Sequence, residues 1–284
     1  CDLLFIEGYK RQPTPKIVLL DSELEILALV EAGEIENILA FVGEWPAEEA
    51  PTNLEHPYYQ RDNLPGIYGL IKDYFQSLTQ ATPLFGLVLA GGRSTRMQQD
   101  KALLRYQDKP QLEMAYELLA PFCQQTFVSS RQEQWGESAP QDRGSVQHLP
   151  QIHDRFLGFG PMGGILTAMT EHPDAAWLVL ACDLPLLDGI TLEYLLQNRN
   201  PYKLATAFSS SSDGMPEPLC AVYEPRMRAP LLAFLGAGYS CPRKVLLNTE
   251  IKILNLPRVR ALDNANTPED YLSMKDVLEE TRHV

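Results

Sequence analysis

The sequence predicts an α/β chain in two parts: a Rossmann-like, mostly parallel sheet over residues 84–284, preceded by a smaller α/β segment over residues 1–80. Three observations predict it. Phe85 to Ala90 is an unbroken apolar run of strand length that leads straight into Gly91-Gly92, the usual opening of a βα unit with both sheet faces covered. Strand-like and helix-like patterns then alternate to the C-terminus. A stretch rich in Pro, Glu and Asn separates the first such patterns from the rest.

In the first part, Leu3 to Ile6 reads as a buried strand, Arg11 to Pro15 as a polar turn, and Lys16 to Leu20 as a second strand. A helical pattern begins at Ser22 and another apolar run covers Ile38 to Val42. Residues 43 to 65 read as surface loop, Ile67 to Leu78 as a short amphipathic helix, and Thr79 to Pro83 as the linker. A strand starting so near Cys1 needs sheet neighbours, so an upstream segment is expected.

In the second part, Leu112, Ala115, Tyr116, Leu119 and Phe122 recur at the helical period. Gln125 to Ser129 supplies the next strand, and Trp177 to Ala181 a further buried one ending at Cys182-Asp183. Leu204 to Phe208 and Pro218 to Tyr223 are strand candidates, and Ser209 to Ser212 reads as a mobile loop. A last helix over Thr267 to Glu280 opens on Pro and acidic residues, which suit a first turn.

Composition limits the function. With 284 residues, 45% hydrophobic and 21% charged, the chain can bury a large core. A formal charge of -13 argues against a nucleic-acid partner. Five widely spaced cysteines with no CxxC pair fit reduced thiols and a cytoplasmic protein. No apolar run has the length of a membrane span, so no membrane partner is expected.

The chemistry concentrates after the first strand of the second part. Two glycines there let backbone N–H groups approach a phosphate chain, and Arg93, Arg96 and Lys101 follow within reach to neutralise it. The loop is neither a Walker A sequence nor a dinucleotide fingerprint. A tight turn carrying solvated charges is the alternative. Asp183, standing alone after a strand, reads equally as a helix N-cap, and Asn264 and Asn266 as a turn bonding to its own backbone.

The order of these pieces carries a resemblance. Leu89 to Lys101, reading LAGGRSTRMQQDK, resembles the LAGGxSxRMGxDK signature of the molybdenum cofactor guanylyltransferase family of NTP transferases. Asp154 with Gly160-Pro161-Met162-Gly163-Gly164-Ile165 resembles its D…GPLAGI stretch, WLVLACDLP at Trp177 to Pro185 its strand end, and Asn264 to Asp270 its NxNTPED segment. The resemblance implies a nucleotidyltransferase domain in which Leu89, Ala90, Gly91, Gly92, Lys101, Asp154 and Asp183 bind GTP. It further implies that Asp183 holds Mg2+, that Asn264 and Asn266 touch the pterin substrate, and that Lys101, Asp183 and Arg96 act in catalysis. The partners would be GTP and molybdopterin or its molybdenum form, with a molybdoenzyme or another cofactor-biosynthesis protein as a further partner. His148, His153 and His172, with no evident partners, read as surface or structural residues.

Two departures stand out. Gln98 occupies a position where the family has glycine, and Ser129-Ser130-Arg131 stands where it has Ser-Ala-Asn-Arg. They keep open a CTP-dependent molybdopterin cytidylyltransferase, a nucleotide-sugar pyrophosphorylase and a non-catalytic nucleotide-binding adaptor as alternatives. In residues 1–80, Phe5 to Lys10 and Pro15 to Ile17 resemble the LVEGFKxxPxPKI stretch of the P-loop adaptor of molybdopterin guanine dinucleotide synthesis. That implies the C-terminal part of an adaptor domain, with Glu7 and Lys10 as site residues of an intact one.

Overall fold

A computed structural model describes residues 5–46, 48–90, 101–106, 109–132, 146, 148–264, 270–275 and 277, with residues 79, 80 and 101 described by their backbone only. The chain divides into two compact units, Cys1–Ala81 and Thr82–Val284.

The first unit holds β1 (Lys16–Leu19), α1 (Glu25–Glu31), β2 (Ile38–Gly43), β3 (Tyr58–Gln60) and α2 (Leu64–Ala81). Its three strands are parallel in the order β1-β2-β3. Val18, Leu20, Ile35, Ile38 and Phe41 form its core. Four expectations change here. Residues 3 and 4 lie outside the described residues, and Phe5 and Ile6 are exposed and outside any strand, because an apolar run without a pairing partner leaves its backbone groups to water. The first helix starts three residues after Ser22, since the Asp21 carboxylate accepts the Glu23 N–H at 3.2 Å and Leu24 takes a left-handed conformation at φ 57°. The expected surface loop contains β3, whose three residues pair with Phe41 to Gly43. Finally α2 runs through Ala81, so most of the expected linker is helical.

The second unit is built on β4 (Leu84–Leu89), α3 (Gln111–Leu119), β5 (Gln125–Ser130), β6 (Gln151–His153), α4 (Pro161–Glu171) and β7 (Ala176–Ala181). It continues through α5 (Gly189–Gln197), β8 (Ala205–Ser209), β9 (Pro216–Tyr223), α6 (Arg228–Gly236), α7 (Pro242–Leu247) and β10 (Lys252–Leu254). The seven strands lie in the order β10-β8-β9-β7-β4-β5-β6, and β9 alone runs against its neighbours. The expected mostly parallel sheet is therefore present.

Side chains alternate across the sheet, which explains the continuous apolar runs. Val88, Val128, Leu178 and Leu180 face α3 and α5, where Leu112, Leu119, Leu192 and Leu195 are buried. Leu87, Leu89, Trp177 and Val179 face the opposite layer of α4, α6 and α7, with Ile165, Met169, Leu231 and Val245. At 25 cal/mol/Å² or so of apolar surface, each such buried side chain contributes about 2 kcal/mol. The chain crosses from β4 to β5 to β6 and then returns to lay β7 on the other side of β4. That reversal makes the carboxyl ends of β4 and β7 a topological switch point, where sheets of this kind take ligands.

The serine stretch after β8 forms a hydrogen-bonded turn. Ser210 N–H donates to Met215 O at 2.8 Å, Gly214 N–H donates to Ser210 O at 3.0 Å, and the Ser210 and Ser212 hydroxyls share a hydrogen bond of 3.0 Å. These bonds answer the turn's polar groups locally, which a run of serines alone does not reveal.

Candidate active site

The expected acidic residues Asp154 and Asp183 stand at the same end of the sheet. Leu89 pairs with Ala181 on β7 and Ser129 on β5. Past the strand ends the ladder continues: Cys182 N–H donates to Leu89 O at 3.3 Å, Ala90 N–H to Ser129 O at 3.1 Å, and Asp154 N–H to Ser130 O at 2.9 Å. Asp183, Ala90 and Asp154 thus follow the carboxyl ends of β7, β4 and β6, parallel strands of one sheet with β5 between the last two. Gly91, Gly92 and Arg96 fall outside the described residues, as does Asn266, while Lys101 opens a short turn, Lys101–Leu103.

Asp154 is held by a residue that the sequence motif did not single out. The Ser129 hydroxyl donates to its Oδ1 at 2.7 Å. Burial pushes the Asp154 carboxyl above the ordinary carboxylate value, and the Ser129 hydrogen bond, with the charges of Arg131 and His153, pulls it partly back. Ser130 turns its hydroxyl to Gln151 Oε1 at 2.9 Å and to His153 Nδ1 at 3.1 Å. His153 therefore has a partner, contrary to expectation, and it is structural. So is His172, whose ring lies 5.2 Å from Phe85 and 5.5 Å from Phe127, centroid to centroid. The Ser-Ser pair at the end of a strand was the available signal for Ser129.

The motif around Gly160 to Ile165 now has a physical reason. Gly160 turns into α4 with φ 57° and ψ -140°, a conformation that side chains disfavour, and Pro161 takes the first helical position. A Cβ on Gly164 would stand 2.3 Å from Ser129 Oγ and 3.0 Å from Leu89 Cδ2. Only glycine lets α4 sit this close to the strand ends.

Asn264 lines a polar cavity of about 360 Å³ with Ser210 to Ser212, Arg260, Glu217 and Asp270 on its walls, and shares a smaller one with Leu184, the residue after Asp183. Arg260 Nε donates to Asp263 at 3.0 Å. Nothing in the spacing of Ser210 to Ser212 and Arg260 announced that they converge on Asn264.

Asp183 offers a carboxylate just past the end of β7, and no cluster of three or more His, Cys, Asp or Glu suited to a metal occurs among the described residues. That donor set fits magnesium, which keeps several waters and takes one or two carboxylates together with substrate phosphates. It does not fit a structural metal, which needs a full set of protein ligands. Among the described residues, no helix is long and apolar enough to cross a membrane.

Residues 86–251 match the family model described as the MobA-like NTP transferase domain. The chain is 38% identical over 190 residues to a molybdenum cofactor biosynthesis bifunctional protein of Synechocystis, an alignment covering 67% of this chain and 53% of that protein. The chain thus spans about half the length of that relative. A probable molybdenum cofactor guanylyltransferase of Trichormus variabilis is 31% identical over 189 residues, covering 66% of this chain and 88% of that protein. The crystal structure of molybdopterin-guanine dinucleotide biosynthesis protein A from Archaeoglobus fulgidus superposes with a TM-score of 0.55 at 23% identity, over 69% of this chain and 99% of that one, a likeness of fold.

Proposed function

The chain belongs to the MobA-like NTP transferase family, and from that premise we propose that it is a molybdenum cofactor guanylyltransferase. The observation that carries the reading is that Ala90 and Asp183 follow the adjacent strands β4 and β7, where the strand order reverses, with Asp154 after β6 at the same end of the sheet. In the reaction, a terminal phosphate oxygen of molybdopterin or Mo-molybdopterin attacks the α-phosphorus of GTP. The bond from that phosphorus to the β-phosphate oxygen breaks and pyrophosphate leaves. The attacking group is already an anion, so the task of the protein is to bring two polyanions together and to stabilise charge at phosphorus and on the leaving group.

Each residue has a part in this reading. Leu89, Ala90, Gly91 and Gly92 line the nucleotide with backbone groups, Lys101 and Arg96 neutralise its phosphates, and Asp154 binds its nucleoside end. Asp183 would hold Mg2+, which when bound supplies charge neutralisation between the phosphates. Asn264 and Asn266 would orient the pterin, and the polar cavity at Asn264 has the hydrogen-bonding walls that such an acceptor requires. Among the described residues, Cys123, Cys182, Cys220 and Cys241 form no disulfide, in keeping with a reducing, cytoplasmic setting.

Residues 1–80 are read as the C-terminal part of an adaptor domain, supported by their parallel three-stranded sheet and by the word bifunctional in the name of the Synechocystis relative. The deciding experiment mixes purified protein, magnesium and molybdopterin with each NTP in turn. Pyrophosphate release with GTP supports the assignment. Release with CTP and none with GTP overturns it in favour of a cytidylyltransferase.

A further inference from the structure

One apolar cluster stands apart from the two cores that cover the sheet faces. Tyr106 and Met274 are buried together, with Leu104, Leu186 and Tyr271 packed against them. The cluster joins distant parts of the second unit: Tyr106 follows the turn that Lys101 opens, Leu186 follows Asp183, and Tyr271 and Met274 belong to the C-terminal helical segment 270–275. The two tyrosine rings lie 4.7 Å apart, centroid to centroid, at 47°. The Tyr271 hydroxyl donates to the carbonyl oxygen of Arg105 at 2.6 Å.

What this contact holds is as informative as the contact itself. Asp270, Ser273 and Met274 form one wall of the cavity of about 360 Å³ that also contains Asn264, and Ser210 to Ser212 form the facing wall. The other end of the contact lies against Leu186, three residues after Asp183 and so close along the chain to the end of β7. Among the described residues, none of the segment 270–275 belongs to either large core, and this cluster is its apolar attachment. A short helical segment outside the main cores can open locally without unfolding the sheet.

We propose that Tyr106 and Tyr271 are positioning residues that form a latch: they hold the C-terminal segment against residues 104–106 and 186, and so set the wall of the acceptor cavity relative to the nucleotide-binding strand ends. The proposal rests on the guanylyltransferase reading in taking that cavity as the acceptor's. Neither ring needs to touch a reacting atom. Their effect belongs on acceptor binding rather than on the chemical step, since a misplaced wall removes contacts made equally in the ground and transition states.

The test uses the full chain with Tyr271→Ala, Tyr271→Leu and Tyr271→Phe, the last keeping the ring and losing only the hydroxyl. Pyrophosphate release is titrated with molybdopterin at saturating GTP and with GTP at saturating molybdopterin, and amide exchange is followed at residues 270–275. Tyr271→Ala is expected to raise the molybdopterin KM about tenfold and to leave the GTP KM within about twofold, while the Phe variant restores most of the loss. Exchange at 270–275 rises in the same order. Tyr271→Leu gives the same comparison with more of the packing retained if the Ala variant does not fold.

Fast exchange at 270–275 with an unchanged molybdopterin KM overturns the latch, as does an equal rise in both KM values. Should wild-type protein release no pyrophosphate from GTP and molybdopterin, the functional reading fails by itself. Exchange then decides the latch: undiminished protection of 270–275 in Tyr271→Ala overturns it, and lost protection supports it.

Discussion

The Ser129 hydroxyl donates to Asp154 at 2.7 Å, and the room for that hydroxyl exists because residue 164 carries no side chain. Three chain segments meet there: the end of β5, the residue after β6, and the first turn of α4. Gly164 therefore serves the acidic site through Ser129, a connection invisible in a motif that is read as a string.

Gly164→Ala puts a methyl group 2.3 Å from Ser129 Oγ and 3.0 Å from Leu89 Cδ2. The helix or the serine must shift, and overpacking of this kind costs about 1–3 kcal/mol. Urea unfolding is expected to show that loss, with a rise in the GTP KM because Asp154 loses its hydrogen-bond donor. Ser129→Ala combined with Gly164→Ala recovers stability, since the clash with the hydroxyl is gone. The GTP KM of the double variant stays high.

Asp154 also gives stability a pH dependence of known sign. Its carboxyl is raised by burial, so across the window above the ordinary value of 3.8 the folded state binds more protons than the unfolded chain. The stabilising contribution is complete below that value and is lost as pH rises through the folded pKa. Asp154→Asn keeps an oxygen for Ser129 and removes the titration. The variant should gain stability relative to wild type as pH rises from 4 toward neutrality, measured by urea unfolding at a series of pH values. A constant difference across the series would contradict the assignment.

These residues show what could be read without coordinates. The runs Phe85 to Ala90 and Trp177 to Ala181 are legible because both sheet faces are covered, leaving no polar alternation to confuse the strand with a surface element. The same full burial hides direction: Pro216–Tyr223 reads like its parallel neighbours, yet runs antiparallel to β7 and β8. Three-residue strands such as Gln151–His153 and Lys252–Leu254 carry too little pattern to be found, and they exist because a longer neighbour offers its edge. Among the candidate site residues, Asp154 and Asp183 could be singled out from the resemblance that the order of the motifs carries. Ser129, Tyr106 and Tyr271 were not, because each acts through a residue far away in sequence.

The Arg199–Glu224 pair ties the end of β9 to the loop after α5. Arg199 makes two hydrogen bonds, of 2.7 and 2.8 Å, to the two carboxylate oxygens, and the side chains are only 15% and 3% exposed. Removing one partner leaves the other charge buried and unpaired. Glu224→Ala is expected to cost about 3 kcal/mol in urea unfolding. Arg199→Met with Glu224→Leu should lose much less, since the double change buries no charge.

Asp183 provides the sharpest test of the catalytic reading. It follows β7 after Cys182, whose N–H donates to Leu89 O at the end of β4. If its carboxylate holds Mg2+ between the phosphates, the amide of Asp183→Asn has nearly the same shape but lacks the charge that retains a strongly hydrated cation. Pyrophosphate release should fall by about 10²-fold or more at ordinary magnesium concentration. Raising magnesium should recover part of it, and the melting temperature without magnesium should stay near that of wild type. Wild type treated with a chelator should lose the same activity and regain it when magnesium is restored. An Asp183→Asn enzyme with unchanged turnover and unchanged magnesium dependence would remove the metal from this carboxylate, leaving Asp183 the role of capping the chain after β7.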